Sequence, residues 1–217
     1  MAEKDDEVAA WASHKDLASA AVKFTNDFLG LRKNGSTTAK LADSDLARLL
    51  DIVRAISWVE SRHGTGSGST KPKVDPMQCG NPNDPWWQEL TGQTDAADRF
   101  IRGGDGTTNL NADELPDAAA STNGFEPKAN LNKLGADVNK GHNSAGFAVE
   151  HSYYWALPIL IHKTNTKAGD KTYQCGGLSR GRLVDGAVRY NGTGDDDYET
   201  KIGNALDLFG GLPVLVA

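Results

Sequence analysis

Cysteine is scarce in this sequence, and the residue patterns that bind zinc are missing. The 217 residues include two cysteines and five histidines. The cysteines lie far apart, neither belongs to a Cys-x-x-Cys pair, and no His-Glu-x-x-His motif occurs. We therefore expect no metal site and no cofactor, and the sequence argues against a metallopeptidase.

Positive charge is too scarce and too scattered to indicate a nucleic-acid partner. The net charge is −6 and the pI is about 5.3. An acidic surface is also not attracted to an anionic membrane. The longest apolar run, residues 155–161, is too short to span a bilayer, and the charged residues 1–7 do not resemble a signal sequence. We expect neither a membrane span nor a signal peptide.

Internal repeats and long runs of alternating polar and apolar residues are also absent, which gives little support to a β-rich fold. The hydrophobic content of 38% is compatible with one folded core. We predict a mainly α architecture, with α+β, through a small hairpin in the middle of the chain, as the alternative. The predicted helices span residues 5–29, 43–60, 84–90, 95–102, 113–120, 147–163, 183–191 and 198–209. Asp43 or Ser44 should cap the second helix, and Pro158 should kink or restart the sixth.

Glu60 is a carboxylate at the end of an apolar helical stripe. At about 100° per residue, four apolar side chains lie within roughly 40° of Glu60 around the predicted helix axis, namely Leu46, Leu49, Val53 and Ile56. Desolvation and the negative end of the helix dipole both disfavour the ionised form, so we expect a raised pKa that suits a general acid. The alternative is a boundary residue that turns out to solvent.

Three further fragments follow Glu60 in a fixed order. Residues 61–70 form a glycine- and hydroxyl-rich break that leads to Asp75-Pro76-Met77-Gln78. Residues 187–192 read Ala-Val-Arg-Tyr-Asn-Gly, and residues 198–202 read Tyr-Glu-Thr-Lys-Ile. This ordered set resembles the lysozyme-like soluble lytic transglycosylases and goose-type lysozymes. Their pattern is a helix ending in Glu-Ser, a loop ending in Gly-Leu-Met-Gln, and a distant Ala-Tyr-Asn-Ala-Gly followed by Tyr and a basic-aliphatic pair.

The resemblance covers residues 45–80 and 185–205 and departs from the family pattern at two places. Asp75-Pro76 stands where the family has Gly-Leu, and Gly192-Thr193 stands where it has Ala-Gly. The resemblance implies a lysozyme-like catalytic domain over residues 41–217, with residues 1–40 as an accessory helix. It implies cleavage of the β-1,4 bond between MurNAc and GlcNAc in peptidoglycan, most simply as a lytic transglycosylase. A hydrolytic goose-type lysozyme and a non-catalytic glycan-binding module are the alternatives.

The resemblance also assigns roles to individual residues. Glu60 would act as general acid and then base, with Tyr190 beside it to orient the carboxyl and stabilise developing charge. Asp75 would take a direct part only in a hydrolytic reaction, because a transglycosylase needs one acid. The substrate-binding residues would be Ser61, Met77, Gln78 and Asn191, with Tyr173 as a flat face on which a sugar can stack.

The two cysteines, Cys79 and Cys175, each lie beside one half of this proposed site. We predict a disulfide between them, with two free buried thiols or metal ligands as the alternatives. A disulfide indicates an oxidising compartment such as the bacterial periplasm. Without a signal sequence, the protein would reach it as a phage lysin released by lysis or as an antibacterial effector exported by a secretion system. The partners would then be peptidoglycan strands and a secretion apparatus or an immunity protein.

Overall fold

The apolar stripe that ends at Glu60 forms the central helix of the molecule. A computed structural model describes residues 2–28, 42–66, 73–80, 149–168, 179–192 and 194–210. These residues form six helices and no strand: α1 (Ala2–Ala12), α2 (Lys15–Phe28), α3 (Asp43–Ser61), α4 (Val149–Ala168), α5 (Arg180–Asn191) and α6 (Tyr198–Phe209). The predicted mainly α architecture is confirmed for this part of the chain.

Helix α3 is buried along the predicted stripe. Leu49, Val53 and Ile56 of that stripe are fully buried, as is the neighbouring Ile52, and Leu46 is partly buried. The helix packs against α2, α5 and α6, while α4 covers α2 and α5 from another side. Ala42 is the residue that precedes the first turn, and it makes no side-chain capping bond. The prediction that Asp43 or Ser44 caps the helix is therefore wrong.

The amino-terminal segment forms two helices, so the prediction of one helix over residues 5–29 is wrong. A turn at Ser13 and His14 separates α1 from α2, and the Ser13 hydroxyl donates to the Ala10 carbonyl at 3.0 Å. The turn allows Trp11 and His14 to enter the core together. Trp11 belongs to the same buried apolar cluster as the α3 stripe, so these helices help to form the core around Glu60.

The carboxyl-terminal helices also lie close to their predicted positions. Helix α4 continues through Pro158 without a break, which excludes a restart there, while the alternative of a kink stays a prediction. Helix α5 begins earlier than predicted because Ser179 caps it, with its hydroxyl accepting from the Arg182 amide. The predicted helices at 84–90, 95–102 and 113–120, and the alternative hairpin, lie outside the described residues. Among the helices that the structure describes, none has the length and apolar character to cross a membrane.

Candidate functional site

Glu60 lies near the last turn of α3, half-buried, and receives a hydrogen bond from a distant tyrosine. The Tyr198 hydroxyl, at the first residue of α6, donates to Glu60 Oε1 at 2.8 Å. Burial, and then the nearby Glu60 carboxylate, raise the pKa of Tyr198 well above its usual value. Tyr198 therefore stays protonated, and its hydroxyl remains a donor to the Glu60 carboxyl.

A cavity of about 660 Å³ opens beside this pair of residues. Its walls come from the end of α3, the end of α5, the segment that follows α5, and α6. Besides Glu60 and Tyr198, its lining includes Asn191, Asp195 and Lys201. The cavity thus brings together residues that lie more than 130 positions apart in the sequence, and its size is in the range of small-molecule sites.

Two exposed ion pairs border the cavity. Lys201 Nζ lies 2.5 Å from Asp195 Oδ2, and this hydrogen bond holds the pKa of Asp195 below its usual range. On another side, Arg62 Nη2 lies 3.4 Å from Glu3 Oε1, and the Arg62 guanidinium sits over the Trp58 ring at 4.7 Å. Exposed pairs of this kind contribute little stability, so a ligand could rearrange them at small cost.

Asn191 contributes an unsatisfied donor to the cavity wall. Its Nδ2 atom is buried and has no hydrogen-bond partner among the described residues. Buried polar groups are rarely left in this state, because an unsatisfied donor loses the hydration it would have in water.

The turn after α3 has an unusual backbone. Arg62, His63 and Gly64 all have positive φ angles, of 49°, 53° and 76°. Only the last is glycine, and a Cβ at Gly64 would lie 2.8 Å from the Lys73 carbonyl oxygen. Ser61 joins this turn to the next loop, because its hydroxyl donates to the Pro76 carbonyl at 2.8 Å and accepts from the Gly64 amide at 2.8 Å.

Asp75 lies in the loop of residues 73–80, where it is fully buried. Its carboxylate accepts from the Gly80 amide at 2.9 Å, the Cys79 amide at 3.2 Å and the Ser152 hydroxyl at 2.6 Å. These bonds close the loop and fasten it to α4. Asp75 is also not part of the cavity lining around Glu60. The geometry thus favours a structural role for Asp75 over the direct catalytic role that we considered for it.

Met77 and Gln78 are held by the same loop. Met77 is fully buried, its amide donates to the Ser152 hydroxyl, and its carbonyl accepts from the Tyr190 hydroxyl at 2.9 Å. Gln78 has a φ of 54°, and its side-chain amide folds back onto the Asp75 carbonyl. In this arrangement the Met77 side chain belongs to the core, and the Gln78 side chain is hydrogen-bonded within its own loop.

Cys79 is a buried thiol whose predicted disulfide partner, Cys175, lies outside the described residues, so the disulfide stays a prediction. Its Sγ donates to the Ser152 carbonyl at 3.3 Å, which points the sulfur into the loop and α4 contact. Burial raises the pKa of Cys79 well above its usual value, so the group is a thiol at neutral pH. Cys175 itself lies outside the described residues, as does Tyr173.

The structure therefore gathers only some of the predicted site residues. Glu60 and Asn191 line one cavity, and Ser61 fixes the turn behind Glu60. The Tyr190 hydroxyl donates to the Met77 carbonyl, and burial and then nearby charges, Glu60 among them, raise the pKa of Tyr190 well above its usual value. The hydrogen bond to Glu60 comes from Tyr198. Tyr198 had been noted only as the start of the last matching fragment. Its role depends on the approach of α6 to the end of α3, for which the sequence gives no local signal.

A second polar cluster lies under the same turn and has the composition of a serine hydrolase triad. His63 Nδ1 lies 2.8 Å from Ser57 Oγ, and His63 Nε2 lies 3.0 Å from Glu7 Oε1. Ser57 is fully buried, and it does not line the cavity beside Glu60. Burial also lowers the pKa of His63 to about 4, which makes it a weak base. We therefore assign this cluster a structural role.

Residues 177–181 match the Gly-x-Ser-x-Gly pattern of some serine hydrolases, but this match does not change the assignment. Its serine is Ser179, the N-cap of α5, whose hydroxyl accepts from the Arg182 amide at 3.2 Å. Such a hydrogen bond is the ordinary way in which a serine begins a helix.

Comparison of the chain with protein-family models, curated proteins and solved structures finds no match.

Proposed function

We propose that the protein cleaves the glycan strands of peptidoglycan, as a lytic transglycosylase of lysozyme-like fold, with Glu60 as general acid and base. The observation that carries the proposal is the half-buried Glu60 carboxyl at the end of α3, bonded to Tyr198 and open to a cavity. Cleavage of a glycosidic bond needs an acid that delivers a proton to the leaving oxygen. Glu60 stands on a rigid helix, as such an acid requires.

The cavity supplies groups that suit an N-acetylated sugar. The unsatisfied Nδ2 of Asn191 can donate to an acetamido carbonyl, and the rim carries further polar groups that can bond to hydroxyls. Tyr198 can direct the Glu60 carboxyl toward the bond that breaks. Since its pKa is raised, it also offers a neutral hydroxyl next to charge that develops in the transition state.

A transglycosylase needs one acid, and Asp75 is committed to the backbone amides of its own loop. Glu60 would first protonate the leaving oxygen. It would then accept the proton of the sugar's 6-hydroxyl as that oxygen closes an anhydro ring. The hydrolytic alternative has some support from Asp195, which lines the same cavity and is kept ionised by Lys201. In that reaction a second carboxylate would activate water.

The deciding experiment is digestion of purified sacculi with mass spectrometry of the released fragments. Anhydro ends are expected from the transglycosylase, and reducing ends would instead show a hydrolase. Glu60→Gln should lower the rate by about 10²- to 10⁴-fold, because the amide cannot deliver a proton. The matched control is Glu199→Gln on exposed α6 surface, which should keep the wild-type rate.

The non-catalytic alternative is separated by a binding measurement. If wild-type protein sediments with sacculi but releases no fragment, the enzyme proposal fails and a glycan-binding module remains. As an enzyme, the protein would act where peptidoglycan is exposed, in the periplasm. It would arrive there through cell lysis or a secretion apparatus, and an immunity protein would protect the cell that makes it.

A further inference from the structure

A buried carboxylate on the first helix is linked to the end of the helix that carries Glu60. Glu7 of α1 is fully buried. Both of its oxygens accept hydrogen bonds from the Arg54 guanidinium of α3, with Arg54 Nε at 2.6 Å from Oε1. His63 Nε2 lies 3.0 Å from the same Oε1 atom. One carboxylate thus joins α1, the middle of α3 and the turn that follows α3.

The protons of this cluster can be assigned from its chemistry. Both Glu7 oxygens accept from the Arg54 guanidinium, so Glu7 acts as the acceptor of this cluster and His63 carries its proton on Nε2. His63 Nδ1 then accepts from the Ser57 hydroxyl. Ser57 Oγ accepts from the Tyr153 hydroxyl at 3.1 Å, and the Tyr153 oxygen accepts from His14 Nδ1 at 3.0 Å. The cluster, defined by Glu7, His14, Arg54, Ser57, His63 and Tyr153, is a one-directional chain that ends on Glu7.

Burying such a cluster gives no obvious gain in stability. An ion pair taken out of water loses about as much in hydration as it gains in attraction, and apolar side chains of similar size are often equally stable. What a buried polar cluster does provide is a defined geometry, because each hydrogen bond holds its donor and its acceptor in one relative orientation. The question is then which part of the structure needs that precision.

The part that it fixes is the turn next to Glu60. His63 has a positive φ, a conformation that is uncommon for a non-glycine residue and persists only where its surroundings hold it. Its ring is packed between Trp11 and Trp58, with centroids 4.9 and 5.3 Å away. Its side chain is completely enclosed and reaches Glu7. The amide of His63 also donates to the Ser57 carbonyl at 3.1 Å, which ends α3 directly after Glu60.

We propose that Glu7 is a positioning residue for Glu60: it holds His63 in the core, and His63 holds the turn that sets the direction of the Glu60 side chain toward Tyr198. This inference rests on the proposed function, in which Glu60 is the acid. Under this proposal, helix α1 helps to position the catalytic acid. A second contact of α1 with the same turn, the pair of Glu3 with Arg62, lies at the cavity rim.

The test compares Glu7→Gln with Asp6→Asn in the full chain. The two variants remove the same charge from the same helix, but Asp6 is exposed and Glu7 is buried. On soluble glycan strands, Glu7→Gln should lower kcat about 10- to 100-fold and leave KM within about two-fold, because a misplaced acid slows the reaction more than it weakens binding. Asp6→Asn should leave both constants unchanged.

A second readout does not depend on activity. The titration of the Glu60 carboxyl can be followed by NMR in protein labelled at the glutamate carboxyl carbons. The charged groups around it, Glu3, Arg62, Asp195 and Lys201, are the same in both variants. If Glu60 loses the hydrogen bond from Tyr198, its titration midpoint rises. Removal of the negative charge of Glu7, acting on Glu60 only by long-range electrostatics, lowers that midpoint instead. We expect a rise in Glu7→Gln and no rise in Asp6→Asn.

The outcomes separate the two proposals. A folded Glu7→Gln protein with wild-type kcat and an unchanged or lowered Glu60 midpoint overturns the positioning role. If the wild type releases nothing from peptidoglycan, the proposed function fails, and the midpoint alone decides the positioning role. If Glu7→Gln does not fold, Glu7→Asp and His63→Gln take its place. A lowered kcat with an unchanged KM in folded Glu7→Asp supports the proposal, and wild-type behaviour in folded His63→Gln overturns it.

Discussion

The protonation state assigned to His63 predicts how stability depends on pH. Burial lowers the pKa of His63 from 6.5 to about 4, despite the neighbouring Glu7 carboxylate, which acts in the opposite direction. Between these two values the unfolded chain binds a proton that the folded protein does not bind. Stability is therefore lost as the pH falls from about 6.5 to about 4, and it is complete above 6.5.

The size of this loss follows from the difference between the two pKa values. At 1.36 kcal/mol per pH unit, lowering the pH from 7 to 4 should reduce the free energy of unfolding by about 3 kcal/mol through His63 alone. Burial lowers the pKa of His14 as well, so that residue acts in the same direction. Carboxyl groups titrate in the same range, so the wild type must be compared with a variant that lacks the His63 titration.

The assay is urea unfolding of wild type and His63→Gln at several pH values between 4 and 7. The variant should be less stable at pH 7, because it loses packing and a hydrogen bond. Between pH 7 and pH 4, the free energy of unfolding should fall in both proteins. The fall in the variant should be about 3 kcal/mol smaller than the fall in the wild type. Parallel curves for the two proteins would mean that folded His63 titrates normally, which would refute the neutral hydrogen-bonded state inferred for it.

Two further predictions concern the tyrosines near Glu60 and the buried Asp75. Tyr198→Phe should lower kcat by about 10- to 100-fold on soluble glycan strands with little change in KM, and Tyr190→Phe should have a smaller effect because its hydroxyl bonds to the Met77 carbonyl. Asp75→Asn should lower the free energy of unfolding, measured in urea, by about 1–3 kcal/mol, since its amide nitrogen would oppose a backbone donor. Its activity per folded molecule should stay far above that of Glu60→Gln, and a comparable loss would contradict the structural role of Asp75.

The sequence predicted the elements whose signal is local. The apolar stripe of α3 is visible because four apolar residues recur every three or four positions, three of them fully buried, and α6 was likewise located at residues 198–209. The break between α1 and α2 was missed because Ser13 and His14 are not strong helix breakers. The break exists because tertiary packing draws His14 toward Tyr153, a contact across 139 positions.

The candidate site was predictable only where one residue carries the signal. Glu60 stood out because a carboxylate at the end of an apolar stripe is unusual. The role of Asp75 could not be read in the same way, because the amides that it bonds and its burial depend on how the loop folds against α4. Glu7 was harder still, since it belongs to an acidic segment that looks like a solvated helix surface, whereas the fold buries this one member.

The end of α3 is held from three directions, each by directional bonds. Tyr198 of α6 bonds to the Glu60 carboxyl, Ser61 bonds the turn to the loop at Pro76, and Glu7 of α1 bonds to His63. Apolar packing along the stripe fixes where the helix lies but resists small rotations of its last turn weakly, because dispersion is not directional. Proton transfer requires the acid to be within hydrogen-bond reach of its target. If Glu60 is the acid that we propose, three anchors from other segments meet that requirement, and the precision of the site then depends on the whole fold and not on the α3 sequence alone.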